Sequence, residues 1–224
     1  MINYIINSRE NHLHTIIMLH GMSDNYKSLL KIAFKIHNKY KNMKIIIPNA
    51  PRITIDWPDG KETNVNSWYN YYTRNDNLMI HDNIDINQFN TQTRRIINII
   101  NNECNQVGSD NVILQGVSQG GTIGFNILFK KYVKIKCFIL IHTCLMNNII
   151  DTKNIIKNIT NNKNQKQLYI FSGNRDNIYN LKLQQKSISK LYNKKYNETY
   201  NKKYNIYWHI EPNLNHCEYS KNEE

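Results

Sequence analysis

Three side chains that together could perform acyl transfer occur in the order Ser118, Asp176, His216. A serine hydroxyl is a poor nucleophile until a base takes its proton, and an imidazole titrates in the right range to be that base. A carboxylate can hold the imidazole in the useful tautomer and stabilise the imidazolium that forms. The three residue types therefore predict a nucleophile, its base and the acid that orients the base.

Ser118 lies within Gly-Val-Ser-Gln-Gly-Gly, residues 116–121, between the apolar run 111–115 and a helix-like run that begins at Thr122. A G-x-S-x-G sequence between a strand and a helix is typical of the nucleophile elbow, a strained turn that exposes the serine hydroxyl. Gly116 and Gly120 permit the close backbone approach that such a turn needs. An ordinary Gly/Ser turn is the alternative, and the strand and helix on either side disfavour it.

Asp176 and His216 are favoured because each follows the end of a predicted strand, Asp176 after a glycine turn. The competing candidates are His142 and His209 for the base, and Asp151 and Glu211 for the acid. Cys217 adjoins His216 but has no separate base, so we expect a bystander thiol. An oxyanion also needs donors, and we expect the backbone N–H groups of Met22 and Gln119 to supply them; losing one such donor typically costs about 100- to 1000-fold in rate.

Continuous apolar runs alternate with amphipathic segments along the chain. The runs at 15–19, 44–48, 135–141 and 168–172 are typical of strands buried on both faces. The pattern predicts an α/β fold, and the chain order Ser, acid, His is that of the α/β-hydrolase fold, with a mainly parallel central sheet flanked by helices on both faces. Ligands of such sheets gather at the carboxyl ends of the strands, where the candidate residues fall.

The sequence also predicts an edge strand and two of the helices. A short edge strand is expected at 3–6, and a helix from Asp85, its predicted cap, to Gly108. The inward face of the first helix is predicted to consist of Leu29, Ile32, Ala33, Ile36 and Tyr40.

Residues 49–83 are predicted to form a long irregular segment beside the site, acting as a lid or wall. The candidates for substrate binding within it are Trp57, Trp68, Tyr69, Leu78 and Met79. The alternative is an aromatic cover over the core that never touches substrate.

Length and composition set the broad class. A chain of 224 residues fits one domain, 1–224, and no apolar run is long enough to span a bilayer. Four scattered cysteines and the lack of a signal-peptide pattern predict a soluble cytoplasmic protein with free thiols. No metal-binding or cofactor motif is present, so neither is expected.

The net charge of +12 allows an acidic partner, but the lysines are dispersed except between Lys182 and Lys203. Without a nucleic-acid-binding motif, nucleic acid is not expected as a partner. Transient contact with an anionic membrane surface through the Lys182–Lys203 stretch is the remaining expectation from charge.

Five short motifs are spread over most of the chain: Leu-His-Gly-Met-Ser-Asp at 19–24, Pro-Asn-Ala-Pro at 48–51, Ser-Trp-Tyr at 67–69, Gly-Val-Ser-Gln-Gly-Gly at 116–121 and Gly-Asn-Arg-Asp at 173–176. Together they resemble the acyl-protein thioesterase/lysophospholipase group of small carboxylesterases within the α/β-hydrolases. The resemblance implies a serine hydrolase that cleaves acyl esters or thioesters through an acyl-Ser118 intermediate. It also implies Ser118, Asp176 and His216 as the triad, Met22 and Gln119 as oxyanion donors, and no cofactor.

The chain departs from this family in several places. Ser23 stands where the family has glycine, Asn70 where it has an acidic residue, and Asn180 near a usual proline. The sequence stops at Glu224, where the family continues into a final helix, so one flank of the sheet is expected to be less covered. The alternative functions are a lysophospholipase or short-chain esterase and, from another class, an inactive hydrolase fold used as a binding module.

Overall fold

A computed structural model of the chain describes residues 3–75, 81–130, 132–146, 166–189, 204–216 and 218. Its strands are β1 Asn3–Ile6, β2 His14–Leu19, β3 Met43–Pro48, β4 Arg52–Trp57, β5 Gly60–Asn66, β6 Val112–Val117, β7 Cys137–Ile141, β8 Lys166–Gly173 and β9 Tyr204–Glu211. Its helices are α1 Tyr26–Lys39, α2 Ile86–Val107, α3 Ser118–Leu128 and α4 Leu181–Ser189, with a 3₁₀ turn at Ser109–Asn111.

Seven strands form the central sheet in the order β1-β3-β2-β6-β7-β8-β9. Only β1 runs antiparallel to its neighbour β3, and the pairs from β3 to β9 are parallel. Because the strands are parallel, the carboxyl ends of β2, β6, β8 and β9 meet at one edge of the sheet. The predicted fold class and the short edge strand at the amino terminus are confirmed.

Two apolar clusters cover the two faces of the sheet, because successive side chains of a strand point to opposite sides. Ile16 and Met18 of β2 pack with Leu29 and Ala33 of α1. Ile17 and Leu19 of the same strand belong to the larger cluster on the other face, which contains the inward residues of α2, α3 and α4. Buried β-branched runs thus account for both the strands and the helices that cover them.

Capping residues define α2 as the sequence predicts. The Asp85 side chain accepts a hydrogen bond from Gln88 N at 2.9 Å, and Gly108, with φ 84°, ends the helix. The Gln88 side chain does not close a capping box, since it accepts instead from Asn70 N at 2.9 Å. The start of α2 is thereby tied to the segment that precedes it.

Two sequence expectations are wrong. Residues 52–66 are not irregular, because β4 and β5 pair as an antiparallel hairpin. Tyr40 lies beyond the last turn of α1 and is 46 % exposed, while His37 takes the buried position and accepts a hydrogen bond from Arg9 Nε at 3.0 Å.

An ionic cluster lies near the amino ends of the central strands, at the opposite edge of the sheet from Ser118. Glu103 of α2 is 4 % exposed, accepts from Thr15 Oγ1 at 2.8 Å and pairs with Lys44 Nζ at 2.7 Å. A buried carboxylate needs such partners to offset its lost hydration.

Among the described residues, no helix combines the length and apolar composition needed to cross a bilayer. The lysine-rich stretch Lys182–Lys203 is described only as far as the end of α4, and its remainder lies outside the described residues. Membrane contact through that stretch stays a prediction.

Candidate active site

Ser118 sits at the junction of β6 and α3 in a strained backbone conformation. Its φ is 51°, in the left-handed region that non-glycine residues seldom occupy. The turn fits only because its neighbours lack side chains: a Cβ on Gly116 would lie 2.6 Å from Gly120 O, and one on Gly120 would lie 2.6 Å from His20 O. The sequence G-x-S-x-G therefore produces the elbow that it predicts.

Ser118, His216 and Asp176 form a continuous series of hydrogen bonds. Ser118 Oγ lies 2.9 Å from His216 Nε2, and His216 Nδ1 lies 3.0 and 2.9 Å from the two carboxylate oxygens of Asp176. In the neutral imidazole, Nδ1–H donates to Asp176 and leaves Nε2 free to accept from the serine hydroxyl. The structure brings together the three residues that the sequence singles out as triad candidates.

The Asp176 carboxylate is closed off from solvent and surrounded by donors. Its Oδ1 accepts from Tyr179 N at 2.7 Å and Ile178 N at 3.0 Å, while Gln184 Nε2 lies 3.3 Å from Oδ2. Burial raises the pKa of Asp176, but hydrogen bonds from His142 and His216 and the backbone donor outweigh it and lower the pKa to about 2. The group is therefore ionised at neutral pH.

Contacts between two loops hold the acid and the base together. A Cβ on Gly173 would collide with the carbonyl oxygen of Leu214, so the glycine lets the end of β8 pass directly under the loop of His216. Arg175 N donates to Leu214 O at 3.1 Å, and Asn177 N donates to Asn215 Oδ1 at 3.3 Å. The Gly-Asn-Arg-Asp sequence thus fixes both the position of Asp176 and the path of the loop that carries His216.

Met22 and Gln119 both line the cavity beside Ser118. Gln119 lies in the first turn of α3, where backbone N–H groups have no partner within the helix. Next to Met22, Ser23 has φ 65°, and its N–H donates to Asn66 O at the end of β5 at 2.8 Å. Ser23 therefore adopts a backbone conformation that favours glycine, and β5 fixes the turn that carries Met22.

His20 ties the turn after β2 to the segment after β3. Its Nδ1–H donates to Gly21 O at 2.7 Å, and its Nε2 accepts from Ala50 N at 3.0 Å. Burial lowers the pKa of His20, which favours the neutral ring that this pair of bonds requires. The His-Gly-Met and Pro-Asn-Ala-Pro sequences are thereby linked through one imidazole.

The side chain of Gln119 holds the Ser-Trp-Tyr segment against the elbow. Its Oε1 accepts from Trp68 N at 2.8 Å, and its Nε2 donates to Tyr69 O at 3.1 Å. Trp68 and Tyr69 are fully buried, and Trp68 Nε1 donates to His20 O at 2.8 Å. Both side chains therefore pack in the protein interior next to the elbow.

A cavity of about 400 Å³ opens over Ser118. Its wall consists of Gly21, Met22, Asp24, Trp57, Glu62, Tyr71, Arg74, Val117, Ser118, Gln119, Ile178, Tyr179 and His216. Of the five residues predicted to bind substrate, Trp57 is on this wall and the buried Trp68 and Tyr69 are not. Leu78 and Met79 lie outside the described residues.

His142, which the sequence offers only as an alternative base, lies next to Asp176. His142, directly after β7, is completely buried, and its Nδ1 lies 3.4 Å from Asp176 Oδ2. The nearest ligand atoms of His142, Asp176 and His216 lie within 4.8 Å of one another, so two imidazoles and a carboxylate of this kind could also hold a metal ion. The signal in the sequence is the place of His142 directly after a predicted strand.

The other competing candidates lie elsewhere. His209 points away from the triad, 45 % exposed, and pairs with Glu211 at 2.9 Å. Asp151 and Cys217 lie outside the described residues.

Comparison with known proteins agrees with this arrangement. A profile of the phospholipase/carboxylesterase family matches residues 1–215. Acyl-protein thioesterase 1 of Cryptococcus neoformans is 29 % identical over 128 residues, which cover 56 % of this chain and 52 % of that protein. The chain therefore aligns with about half the length of the curated relatives it matches.

Solved structures show the same fold. Arabidopsis thaliana SOBER1 superposes with a TM-score of 0.73 at 17 % identity, covering 94 % of this chain and 93 % of that one. Zea mays acyl-protein thioesterase 2 superposes with a TM-score of 0.72 at 17 % identity, covering 99 % and 94 %. With a family profile that spans nearly the whole sequence and a sheet of matching architecture, the chain belongs to the phospholipase/carboxylesterase family of α/β-hydrolases.

Proposed function

We propose that the protein is a serine hydrolase that cleaves carboxylic esters or thioesters of acyl chains through an acyl-Ser118 intermediate. The observation that carries this proposal is the unbroken series of hydrogen bonds from Ser118 Oγ through His216 to Asp176. The relatives named acyl-protein thioesterase support the thioester part of it.

In the first half-reaction Ser118 Oγ attacks the acyl carbon while His216 Nε2 takes the hydroxyl proton. Negative charge develops on the carbonyl oxygen, where the backbone N–H groups of Met22 and Gln119 stabilise it. Collapse of the tetrahedral intermediate breaks the bond to the leaving group, and His216 returns the proton to that group. Asp176 stabilises the imidazolium throughout.

In the second half-reaction a water molecule takes the place of the leaving group. His216 removes one of its protons as it attacks the acyl carbon, and the same N–H groups stabilise the second oxyanion. Collapse releases the carboxylic acid and returns the proton to Ser118 Oγ. Because a thiol has a pKa of about 8.5, a thioester leaving group depends less on protonation by His216 than an alkoxide does.

The cavity wall favours an apolar acyl group next to a polar entrance. Trp57, Tyr71 and Ile178 present apolar surface, and each buried methylene of a substrate contributes about 0.8 kcal/mol. Charged side chains of Asp24, Glu62 and Arg74 share the same wall. We assign the apolar surface to the acyl chain and the charged groups to the neighbourhood of the leaving group.

The test is covalent labelling with a fluorophosphonate probe combined with hydrolysis of acyl thioesters and p-nitrophenyl esters of increasing chain length. We expect the wild type to be labelled and to turn over these substrates, and Ser118→Ala to lose both, with kcat lower by about 10³-fold or more. Preference for long-chain esters of glycerophospholipids over thioesters would indicate the lysophospholipase alternative. A folded wild type without labelling or turnover would contradict the proposal and favour the binding-module alternative.

A further inference from the structure

We propose that His142 is a positioning residue for the triad, a second histidine that contacts the same carboxylate oxygen of Asp176 as His216 does. This inference rests on the proposed function, because it assigns how the acid and base of that reaction are held. His142 would act through Asp176 and His216 and would not touch the substrate.

The place of His142 follows from the order of the strands. β7 lies between β6, which ends in Ser118, and β8, which leads into Asp176. His142 is the first residue after β7, and its N–H donates to Phe171 O of β8 at 2.9 Å. A side chain at this point therefore enters the space between the nucleophile and the acid.

The backbone of His142 is held in an unusual conformation. Its φ is 45°, in the left-handed region that is uncommon and strained for residues other than glycine, although histidine occurs there more often than most. Strain of this kind persists where the surroundings fix it, and it occurs most often at functional sites. Ser118 on the neighbouring strand end shares the feature, with φ 51°.

The His142 side chain contacts both Asp176 and His216. His142 Nδ1 lies 3.4 Å from Asp176 Oδ2, and the two side chains are 1 % and 0 % exposed. The His142 ring also meets the His216 ring edge to face, with centroids 5.8 Å apart. Tyr179 contacts His216 from another side, at 5.4 Å between centroids. The base is thus enclosed by two rings, and one of them also contacts its acid.

Removing His142 should change how firmly Asp176 and His216 are held. In the described part of the chain, side chains from two loops face His142: Asp176 after β8 and His216 after β9, with Tyr179 beyond His216. Without the His142 ring, Asp176 Oδ2 loses one of its two imidazole contacts, and His216 loses a neighbouring ring. The imidazole of His216 would then be oriented less firmly towards Ser118.

The experiment compares His142→Leu, which removes the imidazole, with His142→Gln, which keeps an amide N–H, by kcat and KM for ester hydrolysis, each measured separately. We expect kcat in His142→Leu to fall about 10-fold with KM nearly unchanged, because a less firmly held triad slows the chemical step and leaves the cavity wall as it is. His142→Gln should recover most of kcat. His209→Gln, which removes an exposed histidine from β9, is the control and should match the wild type.

Circular dichroism and thermal unfolding establish that each variant is folded, and His142→Ala replaces His142→Leu if the larger side chain prevents folding. A wild-type kcat in the variant that lacks the imidazole would overturn the positioning role. So would an equal loss of kcat in His142→Gln and in His142→Leu or its His142→Ala substitute, because that is the result of packing alone. A wild type without labelling or turnover would overturn the proposed function and this inference together.

Discussion

The buried carboxylate of Asp176, a candidate for the catalytic acid, also affects the stability of the fold. Its pKa is lowered to about 2, whereas an aspartate in an unfolded chain titrates near 3.9. A group whose pKa is depressed by folding stabilises the fold above its unfolded pKa, and that contribution disappears as the pH falls through the folded value. Because the side chain is shielded from solvent, its hydrogen bonds keep most of their strength.

We expect Asp176→Asn to lower the free energy of unfolding by about 2 kcal/mol near pH 7 and to reduce kcat by about 10³- to 10⁴-fold. The difference in stability from the wild type should shrink as the pH falls from about 5 to about 2, since the wild-type carboxylate is then protonated. Urea unfolding measured across that pH range checks the prediction. A stability difference that does not vary with pH would contradict it.

Asp110→Asn is the matched control for that series. Asp110 forms an exposed ion pair with Lys136, with exposed fractions of 59 % and 38 % for the two side chains. Pairs of this kind contribute less than about 1 kcal/mol, so the control should remain close to the wild type in stability.

The hairpin β4–β5 contributes Trp57 and Glu62 to the wall of the cavity. It carries Trp57, which stacks on Tyr71 with ring centroids 5.5 Å apart and lies under the guanidinium of Arg74. Asn70 holds the hairpin from below, because its side chain accepts from Asp56 N at 2.9 Å and donates to Asp56 Oδ2 at 2.8 Å. The same hairpin contacts the turn that carries Met22, because Ser23 N–H donates to Asn66 O.

Trp57→Ala is therefore expected to raise KM for octanoyl esters about 10-fold, while KM for acetyl esters changes little, because only the longer chain loses apolar contact. Trp57→Phe should retain most of the binding. Tyr132→Ala, at a site 62 % exposed, is the control for loss of an aromatic ring. Steady-state kinetics over a series of chain lengths measures the effect, and equal changes in KM for both esters would remove Trp57 from the acyl-binding wall.

The sequence predicts those elements whose cause is local. The apolar runs, the glycines of the elbow and the Asp85 cap each act within a few residues, and the structure has them where the pattern places them. The hairpin was missed because β5 begins with five exposed residues in succession, so the alternation typical of a strand is absent.

Features that depend on the arrangement of distant elements could not be predicted from the sequence. The end of α1 at Lys39 turns Tyr40 away from the core, although the helical period points it inward. The contact between His142 and Asp176 depends on β7 and β8 being neighbours in the sheet, which no local pattern specifies. The order Ser, Asp, His along the chain predicts the residue types of the triad, but it does not predict that His142 lies beside Asp176.

At the scale of the whole molecule, the two ends of the sheet carry different clusters of polar residues. The candidate active site occupies the carboxyl ends of the strands, and the Glu103 cluster occupies the opposite end, with Lys44 and Thr15 as partners. Breaking a buried ion pair leaves an uncompensated charge, which is costly. Because the cluster lies at the other end of the strands, we expect the geometry around Ser118 to be unchanged.

We expect Glu103→Ala to lower the free energy of unfolding by about 3 kcal/mol, because Lys44 would lose its partner in a half-buried position. Turnover per active site, counted by titration with a fluorophosphonate, should stay at the wild-type value. Glu10→Ala, which removes a pair with Lys41 that is 61 % exposed on both sides, should change stability by less than about 1 kcal/mol. A fall in turnover per site in Glu103→Ala would show that the two ends are coupled.

His216 follows the last strand of the sheet, and β9 pairs only with β8 among the described strands. Ser118 follows an inner strand, β6, and lies 98 positions earlier in the chain than His216. Contacts between such distant positions form late during folding, and edge strands separate more readily than inner ones. During refolding, activity should therefore return only when β9 docks, and in mild denaturant it should be lost while the inner strands still protect their amide protons from exchange.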